Sequence, residues 1–149
     1  MTEVLFYHLE RARLEEVLPG LLEKTLARDW RAVVRTGSKA RAEALDAHLW
    51  TYKDEGFLPH AAAGEGARQP VWLTDGEDMP NAPQILFLVD GARADPAAIA
   101  VLERCVMIFD GRDEAAVGEA RGFWKDVKAA GCDATYWKQS AQGGWEKQA

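Results

Sequence analysis

Six short apolar runs spaced along the whole length most constrain what this chain can fold into. They are VLFYHL (4–9), AVVRTG (32–37), PVWLTD (70–75), QILFLVD (84–90), CVMIFD (105–110) and ATYWK (134–138). Several are apolar on both alternating faces, as strands covered from both sides must be. The segments between them have a helical period. In RLEEVLPGLLEKTLARDW (13–30), Leu14, Val17, Leu18, Leu21, Leu22, Thr25 and Leu26 recur at three-and-four spacing. Pro19-Gly20 predicts a kink or break inside that helix. Ser38 is a natural N-cap for KARAEALDAHLWTY. Asp95-Pro96 opens a helix PAAIAVLER, and a long helix runs from about Asp113 to Ala130, closed by Gly131. Strands alternating with helices predict an α/β fold: one three-layer α/β/α domain around a mostly parallel sheet. Residues 1–140 form that domain. The last residues, 141–149, hold turn formers and little core material, which predicts a flexible tail.

The composition narrows the function. With 149 residues and 48% hydrophobic content the chain can bury a core, and no apolar run is long enough to span a bilayer. The opening MTEVLFYHLE has neither the basic start nor the cleavage site of a signal peptide, so a cytoplasmic location is expected. Cys105 and Cys132 fit no metal or redox spacing, and Cys105 reads as a small core residue. The formal charge of −6 argues against broad binding to nucleic acid while leaving room for a local basic patch.

Enzymatic signatures are weak. The glycine-rich GFLPHAAAGEG (56–66) suggests a phosphate cradle, but Glu65 sits between its glycines and no Lys-Ser or Lys-Thr follows. It also leads into a strand, not into a helix N-terminus. The histidines His8, His48 and His60 show no metal-ligand spacing, and no nucleophile–base–orienter set is visible. Asp90 and Asp110 end two strands at the edge where α/β sheets bind ligands. A nucleotide- or metal-dependent enzyme built on those two carboxylates is therefore the alternative reading. No cofactor and no metal are implied otherwise, and the chain reads as a binding module.

The helix DEAAVGEARGFWKDVKAAG carries the clearest surface. At 100° per residue, Ala116, Ala120, Phe123, Val127 and Ala130 share a core-facing arc of about 80°. Arg121, Lys125 and Lys128 share another, about 60° wide, with Trp124 between the two arcs and Val117 beside Arg121. These cations are not interleaved with acids at i,i+4, as on a salt-bridged surface helix. The strip suits a peptide with an apolar anchor and a carboxylate. Single-stranded DNA stacking on Trp124 is a rival guest.

Four segments resemble the chi subunit of bacterial DNA polymerase III: VLFYHL, ALDAHLW (44–50), GFLPHAAAGEG and ARGFWKDVKAAGCDATYWK (120–138). The resemblance covers nearly the whole chain, with residues 67–112 agreeing in element order more than in residues. It implies a non-enzymatic α/β accessory protein of the clamp loader with two partners, a second small subunit, psi, and the acidic C-terminal tail of single-stranded DNA-binding protein. By motif position it implies that Arg121 and Lys125 meet the tail while Trp124 and Trp50 flank its apolar end residue. A further cation that some relatives carry one turn earlier is Val117 here, so tail binding would be weaker or lean on Lys128. The glycine-rich loop then holds no phosphate. Phe57, Leu58, Pro59 and His60 are contacts to psi or the packing that presents the loop. Gly64 and Gly66 supply backbone geometry that a side chain would forbid. The resemblance assigns no role to Trp145.

Overall fold

The computed structural model describes residues 2–51, 60–142 and 144–149. Each predicted run becomes a strand: β1 (Glu3–Leu9), β2 (Ala32–Arg35), β3 (Val71–Thr74), β4 (Ile85–Leu88), β5 (Arg104–Asp110) and β6 (Asp133–Gln139). A further strand, β7 (Trp145–Lys147), joins them. They form one sheet in the order β3-β2-β4-β5-β1-β6-β7. Every pairing is parallel except β6 with β7.

Four helices cover the sheet: α1 (Leu14–Ala27), α2 (Lys39–Thr51), α3 (Pro96–Ile99) and α4 (Glu114–Ala129). On the front face, Leu18 and Leu22 of α1 and Leu45 and Leu49 of α2 pack on Val34, Leu73, Phe87 and Val106. On the rear face, Ile99 of α3 and Ala120, Phe123 and Val127 of α4 pack on Phe6, Val33, Leu86 and Met107. Each of the large aliphatic or aromatic side chains buried there contributes about 1.5–3 kcal/mol. The predicted three-layer α/β domain is the observed one.

Three local expectations are corrected. Of the kink or break expected at Pro19-Gly20, the break does not occur, since Pro19 lies inside a continuous α1. Its missing N–H frees the Glu15 carbonyl, and His48 Nε2 donates to that oxygen at 2.8 Å. A tertiary bond thus replaces the lost helical one. The helix after Asp95 stops at Ile99 instead of running to Arg104, although Asp95 caps it as predicted, accepting from the Ala97 N–H. The Thr2 hydroxyl sits among the carbonyls of Ile99, Ala100 and Leu102, and Glu103 and Arg104 donate to the Gln84 carbonyl, drawing the chain into β5.

The third correction concerns the C-terminus, where residues 145–147 pair antiparallel with β6. The Ser140 N–H donates to the Gly144 carbonyl at the hairpin bend. The Trp145 ring lies 4.7 Å from that of Tyr7. That contact supplies the core material the tail lacks on its own.

The glycine expectations hold. Gly64 has φ +89°, and a Cβ on Gly66 would come within 2.4 Å of Pro80 Cγ. Ser38 caps α2 by accepting from the Arg41 N–H at 3.2 Å.

Cys105 is buried, and burial pushes its thiol up to about 12, against a smaller opposing effect of Arg35. Cys132 is half-buried. Iodoacetamide at mild alkaline pH should therefore modify Cys132 alone in the native protein and Cys105 only after unfolding, as mass spectrometry would read. Equal native labelling of both would contradict the packing.

Candidate functional site

Asp113 caps α4 by accepting from the N–H groups of Ala115 and Ala116, and Gly131 closes it at φ +84°. Of the predicted core face, Ala120, Phe123 and Val127 are buried and Ala116 is half-buried. Ala130 is the C-cap and exposed, because the helix ends there and the chain turns away. Arg121, Lys125 and Lys128 are exposed, and among the described residues none of the three is paired with a carboxylate. On the opposite flank, Glu119 is bound by Arg93 at 2.9 Å. The predicted separation of charges around the helix is present.

Trp124 is half-buried and packs edge-on against Phe6 of β1, with ring centroids 5.2 Å apart. It also packs edge-on against Tyr136 of β6, at 6.2 Å. Lys128 Nζ lies 5.6 Å from the Trp124 ring centre, a cation–π arrangement. Val117 is half-buried against the rear core. Arg121, Trp124, Lys125, Lys128 and Val117 therefore share one surface, cationic outside and aromatic beneath.

Trp50 does not belong to it. It stands on α2, whose buried face packs on the front of the sheet, whereas α4 packs on the rear. The two tryptophans expected to flank one apolar residue therefore stand on helices packed on opposite faces of the sheet. Trp50 is 53% exposed, with its ring 4.6 Å from that of His60. The His60 side chain is fully buried, and its Nε2 donates to the Asp46 carbonyl at 3.1 Å. His60 is thus buried beside Trp50. Phe57, Leu58 and Pro59 lie outside the described residues.

Tyr136 and His8 were missed at this surface. Tyr136 follows Ala134 by two residues, so the strand period turns both toward α4, and that period was the available signal. Burial pushes the Tyr136 phenol up, and nearby Arg121 opposes the shift. Its hydroxyl is 2.5 Å from His8 Nδ1, and His8 Nε2 is 2.8 Å from a Glu10 oxygen. Gly111 lies over the His8 ring so closely that a Cβ there would fall 1.8 Å from Nε2.

Asp90 and Asp110 line a cleft of about 880 Å³ at the C-terminal edge of the sheet. Each is already engaged by an arginine: Asp90 by Arg41 at 3.0 Å, and Asp110 by Arg112 at 2.8 Å. Arg41 also bonds Glu15 at 2.6 Å. Among the described residues no group of three or more His, Cys, Asp or Glu side chains is placed to hold a metal ion. The neutralised carboxylates give the metal-dependent alternative no support. No helix among the described residues is long and apolar enough to cross a membrane.

The fold and the α4 surface together define an α/β protein with a cationic face laid over aromatic rings. The family described as DNA polymerase III chi subunit, HolC, matches residues 1–135. Among curated relatives, the probable DNA polymerase III subunit chi of Rickettsia prowazekii is 26% identical over 111 residues, covering 73% of this chain and 66% of the relative. The DNA polymerase III subunit chi of Pseudomonas aeruginosa is 34% identical over 91 residues, covering 58% of this chain and 63% of the relative. The chain thus spans just under two thirds of the length of each. This chain belongs to the DNA polymerase III chi subunit family.

Two outcomes follow from the packing. Gly111→Ala should cost about 1–3 kcal/mol in urea denaturation by overpacking the held His8 ring, and His8→Ala in the same chain should recover part of the loss. An undiminished cost in the double variant would place the strain elsewhere.

The second outcome concerns acid. The Arg41 hydrogen bond holds Glu15 below the usual carboxylate range, against a smaller effect of burial. Arg112 does the same for Asp110. A depressed carboxylate adds stability above its unfolded pKa that is lost as pH falls through the lower folded value. The melting temperature should therefore hold down to about pH 5 and fall below about pH 4, with a shallower fall in Arg41→Met. An unchanged acid limb in that variant would show that Arg41 adds nothing to it.

Proposed function

We propose that this chain is a non-catalytic adaptor of the bacterial replisome, acting in the cytoplasm. In this reading the α4 surface receives the acidic C-terminal tail of single-stranded DNA-binding protein, and a second small subunit, psi, ties the chain to the clamp loader. The observation that carries the reading is the cluster of three cations, Arg121, Lys125 and Lys128, unpaired among the described residues, around the half-buried Trp124. On a chain of net charge −6 such a cluster draws a local acidic guest and repels an extended polyanion. Arg121 offers a fork of donors that suits a terminal carboxylate, and Lys125 and Lys128 add charge. The exposed edges of Trp124 and Tyr136 offer an apolar seat beside them. Membership of the chi family supports the assignment. The wall of the site is then Tyr136, not Trp50.

Titration of a fluorescein-labelled peptide of that tail should show micromolar binding that weakens with salt. Arg121→Ala should weaken it about tenfold or more, the loss of one charge-assisted contact of about 1.5–3 kcal/mol. Unchanged binding in that variant would remove α4 from the site. An oligodeoxythymidine that outcompetes the peptide at moderate salt would favour single-stranded DNA as the guest.

A further inference from the structure

The front face of the sheet holds a second groove, of about 400 Å³, between the last turn of α1 and strands β1, β4 and β5. Its floor is apolar, with Leu5, Phe87 and Val106 among the lining residues. Its aromatic walls are Trp30 and Tyr7. Of the twelve residues that line it, three are cationic (Lys24, Arg28 and Arg104) and none is acidic. That balance is the reverse of the whole chain, which carries 24 acidic and 18 basic residues.

Local structure builds this arrangement. Asp29 takes the left-handed conformation at φ 59°, ending α1. The Trp30 N–H then donates back to the Thr25 carbonyl, which holds the chain against the end of the helix. The Arg28 guanidinium lies 3.9 Å from the Trp30 ring centre, and that of Arg104 lies 5.4 Å from it. Arg104 is paired with Glu3 at 3.0 Å. Among the described residues Lys24 and Arg28 have no carboxylate partner. Tyr7, on the other wall, is backed by Trp145 of β7 at 4.7 Å, which gives that tryptophan a place.

We infer that this groove is a second docking site, for an acidic peptide segment carrying one bulky apolar side chain. The apolar side chain sits on the floor against Trp30 and Tyr7, and flanking carboxylates meet Lys24 and Arg28. Charge complementarity selects the acid, and the apolar floor selects the anchor. A nucleic-acid strand fits less well, because Arg28 already occupies a face of the Trp30 ring and the surrounding charge is negative. The site does not depend on the tail-binding reading, since it lies on the opposite face of the sheet from α4.

The test uses the full chain, labelled with nitrogen-15, and a synthetic peptide of three aspartates, one leucine and three aspartates, blocked at both ends. The Trp30 indole resonance, assigned through Trp30→Phe, should shift at sub-millimolar peptide and saturate. Lys24→Gln with Arg28→Gln, both at exposed positions, should weaken binding at least tenfold while the far-ultraviolet circular dichroism of the folded chain is retained. Arg121→Ala should leave the Trp30 shift intact, which separates this site from the α4 surface. A peptide with serine for leucine should bind at least fivefold more weakly. The inference is overturned if Trp30 stays unperturbed at saturating peptide, or if the serine peptide binds as tightly as the leucine one. It is also overturned if an oligodeoxythymidine shifts Trp30 at lower concentration than the peptide.

Discussion

The insertion of β1 between β5 and β6 is the pairing on which the rest depends. Residues Glu3 to Leu9 match Arg104 to Asp110 on one side, and Glu3 to His8 match Asp133 to Lys138 on the other. The first strand is thus closed in by two strands more than a hundred residues away, and the intervening chain must be arranged before either ladder is complete. Backbone donors and acceptors of β1 are satisfied on both edges, and Val4, Leu5, Phe6 and Leu9 are buried between the two faces. Parallel strands need crossovers, so the helices on the two faces follow from this pairing.

The same strand underlies both the α4 face and the front groove. Its even residues Phe6 and His8 face the rear, where Phe6 supports Trp124 and His8 holds the Tyr136 hydroxyl. Its odd residues Leu5 and Tyr7 face the front and line the second groove. A one-residue slip of β1 would exchange those two sets and dismantle both surfaces together. The strand period therefore links two sites that share no side chain.

An acidic chain can hold cationic sites only by keeping its carboxylates elsewhere. Several of them are drawn into the C-terminal cleft, where Glu15, Asp90, Asp110 and Glu119 are each matched by an arginine. Of the cations without such partners among the described residues, Lys128 on α4 and Arg28 at the end of α1 stand beside tryptophans. An indole beside a flexible cation limits its motion without neutralising it, so the charge stays available to a guest.

The sequence by itself determined the alternation of strands and helices, the caps at Ser38 and Asp95, and the sorting of charge around α4. Each of these rests on interactions within a few residues, so periodicity and local hydrogen bonding suffice to read them. The pairing of β7 with β6 was hidden by the polar composition of the tail, because it rests on the partner strand and on the contact of Trp145 with Tyr7. Tertiary structure decided what no local rule could. It kept α1 whole across Pro19 through a bond from His48, set Tyr136 beside Trp124, and put Trp50 on the far side of the sheet. It also gathered Lys24, Arg28 and Arg104 around Trp30. The physical reason is the same in each case: the partners are brought together by strand order and crossover side, and those are properties of the assembled sheet and of no single segment.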